Sequence, residues 1–354
     1  FKQKTAYEIM PSLVGSEMCI RDRAEPHHRT PVWFMRQAGR SLPEYRAVRG
    51  TGSILDAIAD ADLSAEITLQ PVRRYGVDAA ILYSDIVVPA HAVGFGVEVQ
   101  PGIGPVVDRP FENTADLQRL RPLEPEEDTP YVLETVRRVV AEGSVPLIGF
   151  AGAPFTVASY LIEGAPSRTY GRTKALMLGD PGLWHALLDR LADMALASLR
   201  SQVASGASAV QLFDSWAGAL SPPVYERCVL PHSRRVFEGV ADTCVPRIHF
   251  GVGTGEILPL MAKAGADVVG VDWRVPLDEA RRRLGPDTIL QGNLDPAVCL
   301  GPPEVVEAEV ADVLSRNGRH PGHVFNLGHG VLPETNPAVL EQVVAQVHAY
   351  SIGG

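Results

Sequence analysis

The sequence has 354 residues, of which 45% are hydrophobic and 21% charged, and its formal net charge is −10. This is the composition of a water-soluble globular protein, long enough for one large α/β domain or two smaller ones. No apolar run is long enough to span a bilayer, and the acidic balance argues against nucleic acid as the main partner.

The N-terminal stretch, residues 1–23, is unlike the rest of the chain. It shows neither the apolar h-region of a signal peptide nor the Arg/Ser-rich amphipathic pattern of a transit peptide. It resembles a translated sequencing adapter, and we interpret it as a non-native tail. We predict a single catalytic domain at residues 24–354.

From Thr30 onward, short apolar runs alternate with helical patterns. Eight strands are predicted, at residues 32–35, 79–85, 146–152, 209–215, 247–251, 267–273, 288–294 and 323–329. Helices are predicted at residues 63–75, 130–141, 224–240, 256–264, 277–284, 303–317 and 338–350. The Gly/Pro-rich connection at 89–110 is expected to form a hairpin or an excursion.

This order of elements predicts the fold class. Continuous rather than alternating apolar strands are typical of a parallel sheet that helices cover. Eight βα units predict a single α/β domain folded as a (β/α)8 TIM-type barrel, with an active-site cleft at its C-terminal face. The alternative, a doubly wound open sheet, would need an early phosphate-binding turn, and GVGTG at residues 251–255 lacks the spacing for one.

A cluster of arginines follows the first predicted strand, within PVWFMRQAGRSLPEYRAVRG at residues 31–50. The cluster consists of Arg36, Arg40, Arg46 and Arg49, which we place in a loop. The arginine fork binds carboxylate or phosphate bidentately, and Gly39 lets the backbone approach a ligand. The loop therefore either traps a polyanion or makes surface ion pairs as a solvated basic segment.

Polar residues gather at the predicted carboxyl ends of the strands, where barrel enzymes carry their catalytic groups. They are Arg36, Asp85, Asp214, Ser215, Asp272, Asn293, Asn326 and His329. For Asp214 and Ser215 the alternative is that they cap the next helix. We expect Arg36, Asp85, Ser215 and His329 to surround one mouth of the barrel.

Asp85 stands in an apolar setting, because His91 is the only other ionisable acid or base between Asp78 and Glu98. A carboxylate in such surroundings is costly unless it is hydrogen-bonded or paired. Backbone amides alone could satisfy it. The alternative is that Asp85 accepts several N–H groups of a ligand.

Four stretches resemble signature segments of the uroporphyrinogen decarboxylase family, and the similarity covers about residues 31–350. The stretches are PVWFMRQAGRSLPEYR, GAPFTVASYLIEG, QLFDSWAG and NLGHGVLP. The resemblance implies conversion of uroporphyrinogen III to coproporphyrinogen III in haem biosynthesis, with four acetates becoming methyl groups. It also implies a homodimer. The sequence contains no clear motif for PLP, thiamine or a metal, so we expect no cofactor.

The same resemblance assigns roles to residues. Asp85 reaches the pyrrole N–H groups, Tyr160 points its hydroxyl at a substrate side chain, and His329 meets a propionate or acetate. Phe213 packs against the ring system, and Ser215 binds a carboxylate, as do Arg36, Arg40, Arg46 and Arg49. The proton donor stays open between Arg36, His329, Tyr160 and a water held by Asp85, because the pKa of arginine, above about 12, makes it a reluctant acid.

Two other functions would also fit such a chain. A related barrel methyltransferase that activates a thiol with zinc would need clustered His and Cys ligands, and a tetrapyrrole carrier would need no catalysis. The chain has four cysteines: Cys19, Cys228, Cys244 and Cys299. They form no C-x-x-C pair, so no zinc or redox motif is visible, and this usage indicates a reducing cytoplasm.

Overall fold

A parallel sheet of seven strands forms the centre of a computed structural model that describes residues 29–100, 102–318, 320 and 322–350. The strands of the described residues are β1 (Ala80–Ile81), β2 (Val97–Gln100), β3 (Gly104–Val107), β4 (Leu147–Gly152), β5 (Ala209–Asp214), β6 (Arg247–Gly251), β7 (Val268–Gly270), β8 (Ile289–Gln291) and β9 (His323–Val324). The order in the sheet is β1-β4-β5-β6-β7-β8-β9, with every neighbouring pair parallel.

The first predicted strand closes this sheet between β9 and β1. Val32 forms a parallel bridge with Phe325, and the Phe325 amide donates to the Pro31 carbonyl over 2.8 Å. On the other side the Asp78 amide donates to the Val32 carbonyl, also over 2.8 Å. The first run thus lies between the two outer strands of the sheet and completes the eight, and the predicted (β/α)8 fold is confirmed.

The prediction of a regular strand at 32–35 is nevertheless wrong. Two backbone amides of this segment bind side chains instead of the backbone of a neighbouring strand. The Val32 amide donates to Asp78 Oδ2 over 2.8 Å, and the Met35 amide donates to Asn326 Oδ1 over 3.0 Å. Pro31 has no amide proton to offer a ladder. What is left is an isolated bridge rather than a continuous strand.

The other strands are present where predicted, but several are shorter. β1 and β9 have two residues each, and the predicted run at 323–329 continues only as an isolated bridge between Leu294 and Leu327. Past the end of β1, the Tyr83 amide donates to the Thr68 hydroxyl on a helix, over 3.0 Å. The hydrogen-bonded pairing of these strands ends early because the polypeptide leaves the sheet near the mouth of the barrel.

Helices cover the outside of the barrel. The α-helices of the described residues are α1 (Pro43–Arg49), α2 (Ile54–Ala59), α3 (Ala61–Tyr75), α4 (Val88–Ala92), α5 (Pro125–Asp128), α6 (Pro130–Glu142), α7 (Pro154–Glu163), α8 (Gly171–Gly179), α9 (Pro181–Ala204), α10 (Pro222–Cys228), α11 (Leu230–Val240), α12 (Leu258–Lys263), α13 (Leu277–Leu284), α14 (Pro303–Asn317) and α15 (Pro337–Ala349). Within the described part of the chain, no helix is long and apolar enough to cross a membrane.

Prolines explain where the helix predictions are wrong. The predicted helix 224–240 divides at Val229 into α10 and α11, because Pro231 lies in the first turn of α11 and cannot donate the amide bond that a continuous helix needs. The predicted helix 256–264 begins as a 3₁₀ turn, Gly255–Ile257, and becomes α-helical only at α12, where Pro259 lies in the first turn.

The long connection after α4 contains the expected hairpin. β2 and β3 pair in antiparallel register from Val97 opposite Val107 to Gln100 opposite Gly104. The Val107 amide donates to the Gly164 carbonyl at the end of α7 over 2.8 Å. The hairpin is thereby attached beside the mouth of the barrel.

The N-terminal tail prediction concerns residues outside those that the structure describes. The boundary at residue 24 therefore stays a prediction.

Candidate active site

A cleft of about 470 Å³ opens at the carboxyl ends of the strands. Its walls come from seven parts of the chain. They are the segment that follows the first bridge, α2, β1 with the residues after it, the hairpin of β2 and β3, the ends of β4 to β6, α7, and residues 329–333. The predicted cleft at the C-terminal face is therefore present, and the hairpin forms one of its rims.

Arg36 lies in this cleft with an unusual backbone, a φ of 58°. Non-glycine residues rarely adopt positive φ, and such strain persists only where the surroundings enforce it. The Met35 amide is held by Asn326 Oδ1, and the Met35 carbonyl accepts the Val331 amide over 2.9 Å. The Arg36 side chain crosses Gly330, where a Cβ atom would come within 2.5 Å of Arg36 Cδ.

Asp85 is half-buried and lines the same cleft. Its Oδ1 accepts the Val87 amide over 3.1 Å. Burial raises the pKa of the Asp85 carboxyl above its ordinary value, while the amides of Val87 and Ile86 and the charge of Arg36 offset part of that effect. Asp85 thus has a backbone partner and also lines the cleft, and its role as an acceptor of ligand N–H groups stays a prediction.

Tyr160, on α7, lines the cleft near Asp85. Burial raises the pKa of the Tyr160 hydroxyl well above its ordinary value, and the negative charge of Asp85 adds to the rise. The Tyr160 ring packs on Trp216 with centroids 3.8 Å apart, and Tyr170 packs on the same indole at 5.1 Å. Tyr160 therefore carries its proton at neutral pH and is available as a hydrogen-bond donor.

His329 lines the cleft, and a backbone hydrogen bond determines which ring nitrogen carries the proton. Its Nδ1 accepts the Gly330 amide over 2.6 Å, so the proton of the neutral ring sits on Nε2. Burial lowers the pKa of His329 to about 4, and the charges of Arg36 and Arg274 contribute. At neutral pH His329 is a neutral donor through Nε2.

The end of β5 brings Phe213 and Ser215 into the cleft. Phe213 makes edge contacts with Phe150, at 5.3 Å between centroids, and with Phe250, at 6.0 Å. Three rings from neighbouring strands thus form an apolar floor. Ser215, two residues on, is half-buried and presents a polar group next to this floor.

The four arginines do not all reach the cleft. Arg36 and Arg40 line it and are exposed, and among the described residues neither guanidinium has a hydrogen-bond or ion-pair partner. Arg46 and Arg49 do not line it; Arg46 Nε donates to the Arg40 carbonyl over 2.6 Å, and Arg49 Nη2 to the Gly52 carbonyl over 2.8 Å.

Placing all four arginines in one loop was wrong, because residues 43–49 form α1. Pro43 pre-sets the helical φ at the start of that helix. Arg46 and Arg49 therefore lie on a helix beside the cleft, and their role in substrate binding stays a prediction.

The other predicted strand-end residues hold loops together. Asp272 Oδ2 pairs with Arg274 Nη1 over 2.6 Å. Asn293 Nδ2 donates to the Asp272 carbonyl over 2.9 Å and to the Val275 carbonyl over 2.6 Å. These residues are buried and do not line the cleft.

Sequence reasoning missed two aromatic features of the site. One is the pair Tyr45 and Tyr83, which line the cleft with their hydroxyl oxygens 3.2 Å apart. The other is Trp216, which packs on Tyr160. Tyr45 and Trp216 each lie inside a quoted motif next to a predicted residue, and Tyr83 lies two residues before Asp85, so position near a predicted residue was the available signal.

Cysteine and histidine do not converge at the mouth. Of the described cysteines, Cys228 and Cys299 are buried and Cys244 is exposed. Among the described residues there is no group of three or more His, Cys, Asp or Glu side chains that could hold a metal ion. The ligand set that a zinc methyltransferase requires is thus not found in this part of the chain.

Known structures share the fold. A methyltransferase from Methanosarcina mazei superimposes with a TM-score of 0.71 at 20% identity, covering 91% of this chain and 94% of its own. A B12-independent methionine synthase from a Shewanella species superimposes with a TM-score of 0.57 at 13% identity, covering 91% of this chain and 95% of its own. At such identities the likeness concerns the fold alone.

Sequence relatives are much closer. Uroporphyrinogen decarboxylase of Salinispora tropica is 62% identical over 92% of this chain and 88% of its own length. The enzyme of that name from Streptomyces griseus is 60% identical over 92% of this chain and 89% of its own. A family model described as uroporphyrinogen decarboxylase matches residues 22–350. With this match and the cleft described above, the chain belongs to the uroporphyrinogen decarboxylase family.

Proposed function

We propose that this chain is a decarboxylase that converts uroporphyrinogen III to coproporphyrinogen III in tetrapyrrole (haem) biosynthesis. The observation that carries the proposal is the composition of one cleft. It combines an apolar aromatic floor, one poorly solvated carboxylate at Asp85 and two exposed arginines, Arg36 and Arg40. A cyclic tetrapyrrole with N–H groups at its centre and carboxylates at its edge is complementary to that arrangement.

The residues would divide the substrate between them as follows. Asp85 accepts the pyrrole N–H groups, and Phe213 packs against the ring system. Arg36 and Arg40 bind peripheral carboxylates with their forks, and Ser215 adds a hydroxyl. Arg46 and Arg49 contribute positive charge from α1 beside the cleft, and Arg46 also fixes the backbone of Arg40.

The pyrrole itself can act as the electron sink, so the reaction requires no cofactor in this proposal. Protonation of the ring carbon beside the acetate-bearing carbon gives a cation. The electrons of the C–CO₂⁻ bond then flow into the ring and CO₂ leaves, which gives a neutral exocyclic methylene. A proton adds to the methylene carbon to give a methyl group, and the ring carbon loses the proton that it gained first, so the aromatic pyrrole is restored. Asp85 stabilises the cation electrostatically in a site that offers little water.

Tyr160 and His329 assist as neutral donors. Their pKa values keep the proton on the Tyr160 hydroxyl and leave the His329 ring uncharged at neutral pH. Both can therefore donate hydrogen bonds to carboxylates of the substrate. Tyr160 does so without adding a negative charge beside Asp85, and His329 does so without carrying a positive charge.

We also propose that the protein works as a homodimer in the cytoplasm. Family membership supports the dimer, and cysteine usage supports a reducing compartment. Sedimentation equilibrium at micromolar concentration tests the dimer directly, and a mass of one chain would reject it.

The alternative of a tetrapyrrole carrier makes a different prediction in one experiment. The protein is incubated with uroporphyrinogen under anaerobic, metal-free conditions, and the carboxylates of the product are counted by mass spectrometry. Stepwise loss of four carboxylates supports the decarboxylase. Binding without any loss of carboxylate supports the carrier.

A further inference from the structure

The GAPFT motif at the start of α7 has no role in the function proposed above, although it lies beside the cleft. Thr156 in this motif is fully buried, as is Asp214 at the end of β5. The Thr156 hydroxyl donates to Asp214 Oδ1 over 2.9 Å. The Thr156 hydroxyl oxygen also accepts the Trp216 amide, over 3.3 Å. Its proton and one lone pair are thus both used.

This hydroxyl joins two elements that carry site residues. Thr156 and Tyr160 are four residues apart on α7, so their side chains share one face of the helix. Trp216 follows Ser215 in the turn after β5, and its indole packs on the Tyr160 ring at 3.8 Å. Thr156 therefore fixes the backbone of the turn whose indole supports Tyr160.

Asp214 is enclosed on its other side as well. Its Oδ2 has no hydrogen-bond partner among the described residues, and His249 Nε2 lies 3.8 Å away. The hydroxyls of Tyr225 and Ser233 are also buried there without partners among the described residues. A carboxylate shielded from water in this way interacts strongly with a hydroxyl donor, because the local dielectric constant is low.

Capping does not explain this contact. The 3₁₀ turn that follows, Ala217–Ala219, begins without a side-chain cap, and so does α10. Neither Asp214 nor Ser215 caps the next helix, contrary to the alternative considered from the sequence. The Asp214 carboxylate is instead directed at the first turn of α7.

We propose that Thr156 and Asp214 are positioning residues for the decarboxylation: together they fix Trp216 and, through its indole, the direction of the Tyr160 hydroxyl. The proposal rests on the function proposed above, and in particular on the role of Tyr160. Neither Thr156 nor Asp214 lines the cleft, so both would act only through Trp216 and Tyr160.

Thr156→Val tests this, because it replaces the hydroxyl with a methyl group of similar size. Ser159→Ala is the matched control: Ser159 is equally buried on α7, but its hydroxyl donates only to the Phe155 carbonyl of the same helix, over 2.8 Å. Thr156→Ser keeps the hydroxyl and should restore the contact.

Three readouts are compared: single-turnover decarboxylation, equilibrium binding of uroporphyrinogen, and the near-ultraviolet circular dichroism of Trp216, identified by difference from Trp216→Phe. We expect Thr156→Val to slow single turnover by about tenfold, in the range of energies that couple residues in contact. It should change the Trp216 signal and leave substrate binding nearly unchanged. Ser159→Ala should match the wild type, and Thr156→Ser should recover the rate.

The double variant with Tyr160→Phe separates this proposal from the function on which it rests. If Thr156 acts through Tyr160, adding Thr156→Val to Tyr160→Phe costs no further rate. The positioning role would be overturned if the double variant lost rate by the product of the two single-variant factors. It would also be overturned if Thr156→Val and Ser159→Ala slowed single turnover equally. If Tyr160→Phe itself turns over at the wild-type rate, the proposed role of Tyr160 fails, whatever the Trp216 signal shows.

Discussion

Replacing Asp85 with asparagine should slow decarboxylation far more than it weakens substrate binding. A positive charge on a pyrrole ring about 4 Å from the carboxylate is stabilised by about 4 kcal/mol at an effective dielectric constant of about 20. Asparagine keeps an oxygen that accepts N–H groups but loses the charge. Since about 1.4 kcal/mol corresponds to a tenfold change in rate, the rate should fall by about 10²- to 10³-fold.

Binding should change much less, because the charge develops only along the reaction path. Only interactions that are stronger in the transition state than in the ground state accelerate the chemical step. The substrate keeps one acceptor for its N–H groups, so its dissociation constant should rise by about tenfold at most, the worth of one altered hydrogen bond.

The assay is anaerobic single turnover with enzyme in excess, next to direct titration of binding. Asp312→Asn is the matched control, because it removes one carboxylate from the exposed surface of α14 and Asp312 does not line the cleft. A near wild-type rate for Asp85→Asn would refute the electrostatic role of Asp85. If the rate and the substrate affinity fell by the same factor, Asp85 would serve only to bind the substrate.

Three further predictions concern the rim of the cleft. Arg40→Lys keeps the charge but not the fork, so substrate binding and turnover should weaken together; a change in turnover alone, measured by the same titration and assay, would contradict this. Gly330→Ala places a Cβ 2.5 Å from Arg36 Cδ and should lower turnover by about tenfold or more with little change in melting temperature; unchanged turnover would show that the Arg36 side chain need not lie there. The pKa of His329 falls from its ordinary 6.5 to about 4 on folding, so the unfolded chain binds more protons in that range and stability falls as pH drops from 6.5 toward 4. In urea titrations His329→Gln should lose less stability over this range than the wild type, and an equally steep loss would contradict the burial of a neutral His329.

The sequence was informative where a residue's location follows from its place at a strand end or inside a motif. Asp85, Tyr160, Phe213, Ser215 and His329 were predicted separately and lie around one cleft. Their assembly could be expected because the carboxyl ends of barrel strands converge. The barrel itself was predicted because most of its strands are continuously apolar, which is typical of a parallel sheet.

Other features could not be read from the sequence, because they depend on contacts between distant residues. The first strand is reduced to a bridge because Asp78 and Asn326 capture its amides. The support of Tyr160 by Trp216, and of Trp216 by Thr156, crosses from α7 to the turn after β5. Periodicity and composition contain no information about such pairings.

Proline was the signal that the sequence offered but that the periodic pattern obscured. Pro231 and Pro259 each lie in the first turn of a helix that was predicted to start earlier. Pro43 likewise begins α1, which turns part of the predicted arginine loop into a helix. Weighting these prolines as helix starts would have corrected all three boundaries.

The most direct test of the central claim is the release of CO₂ from uroporphyrinogen labelled in its acetate carboxyl carbons. The protein is first dialysed exhaustively against a chelator and then assayed anaerobically, with Asp85→Asn alongside. We predict that the dialysed wild type releases all four labelled carboxyls and leaves coproporphyrinogen, while Asp85→Asn releases them at least about 10²-fold more slowly. Bound but intact uroporphyrinogen, or activity that returns only when zinc is added, would contradict the account.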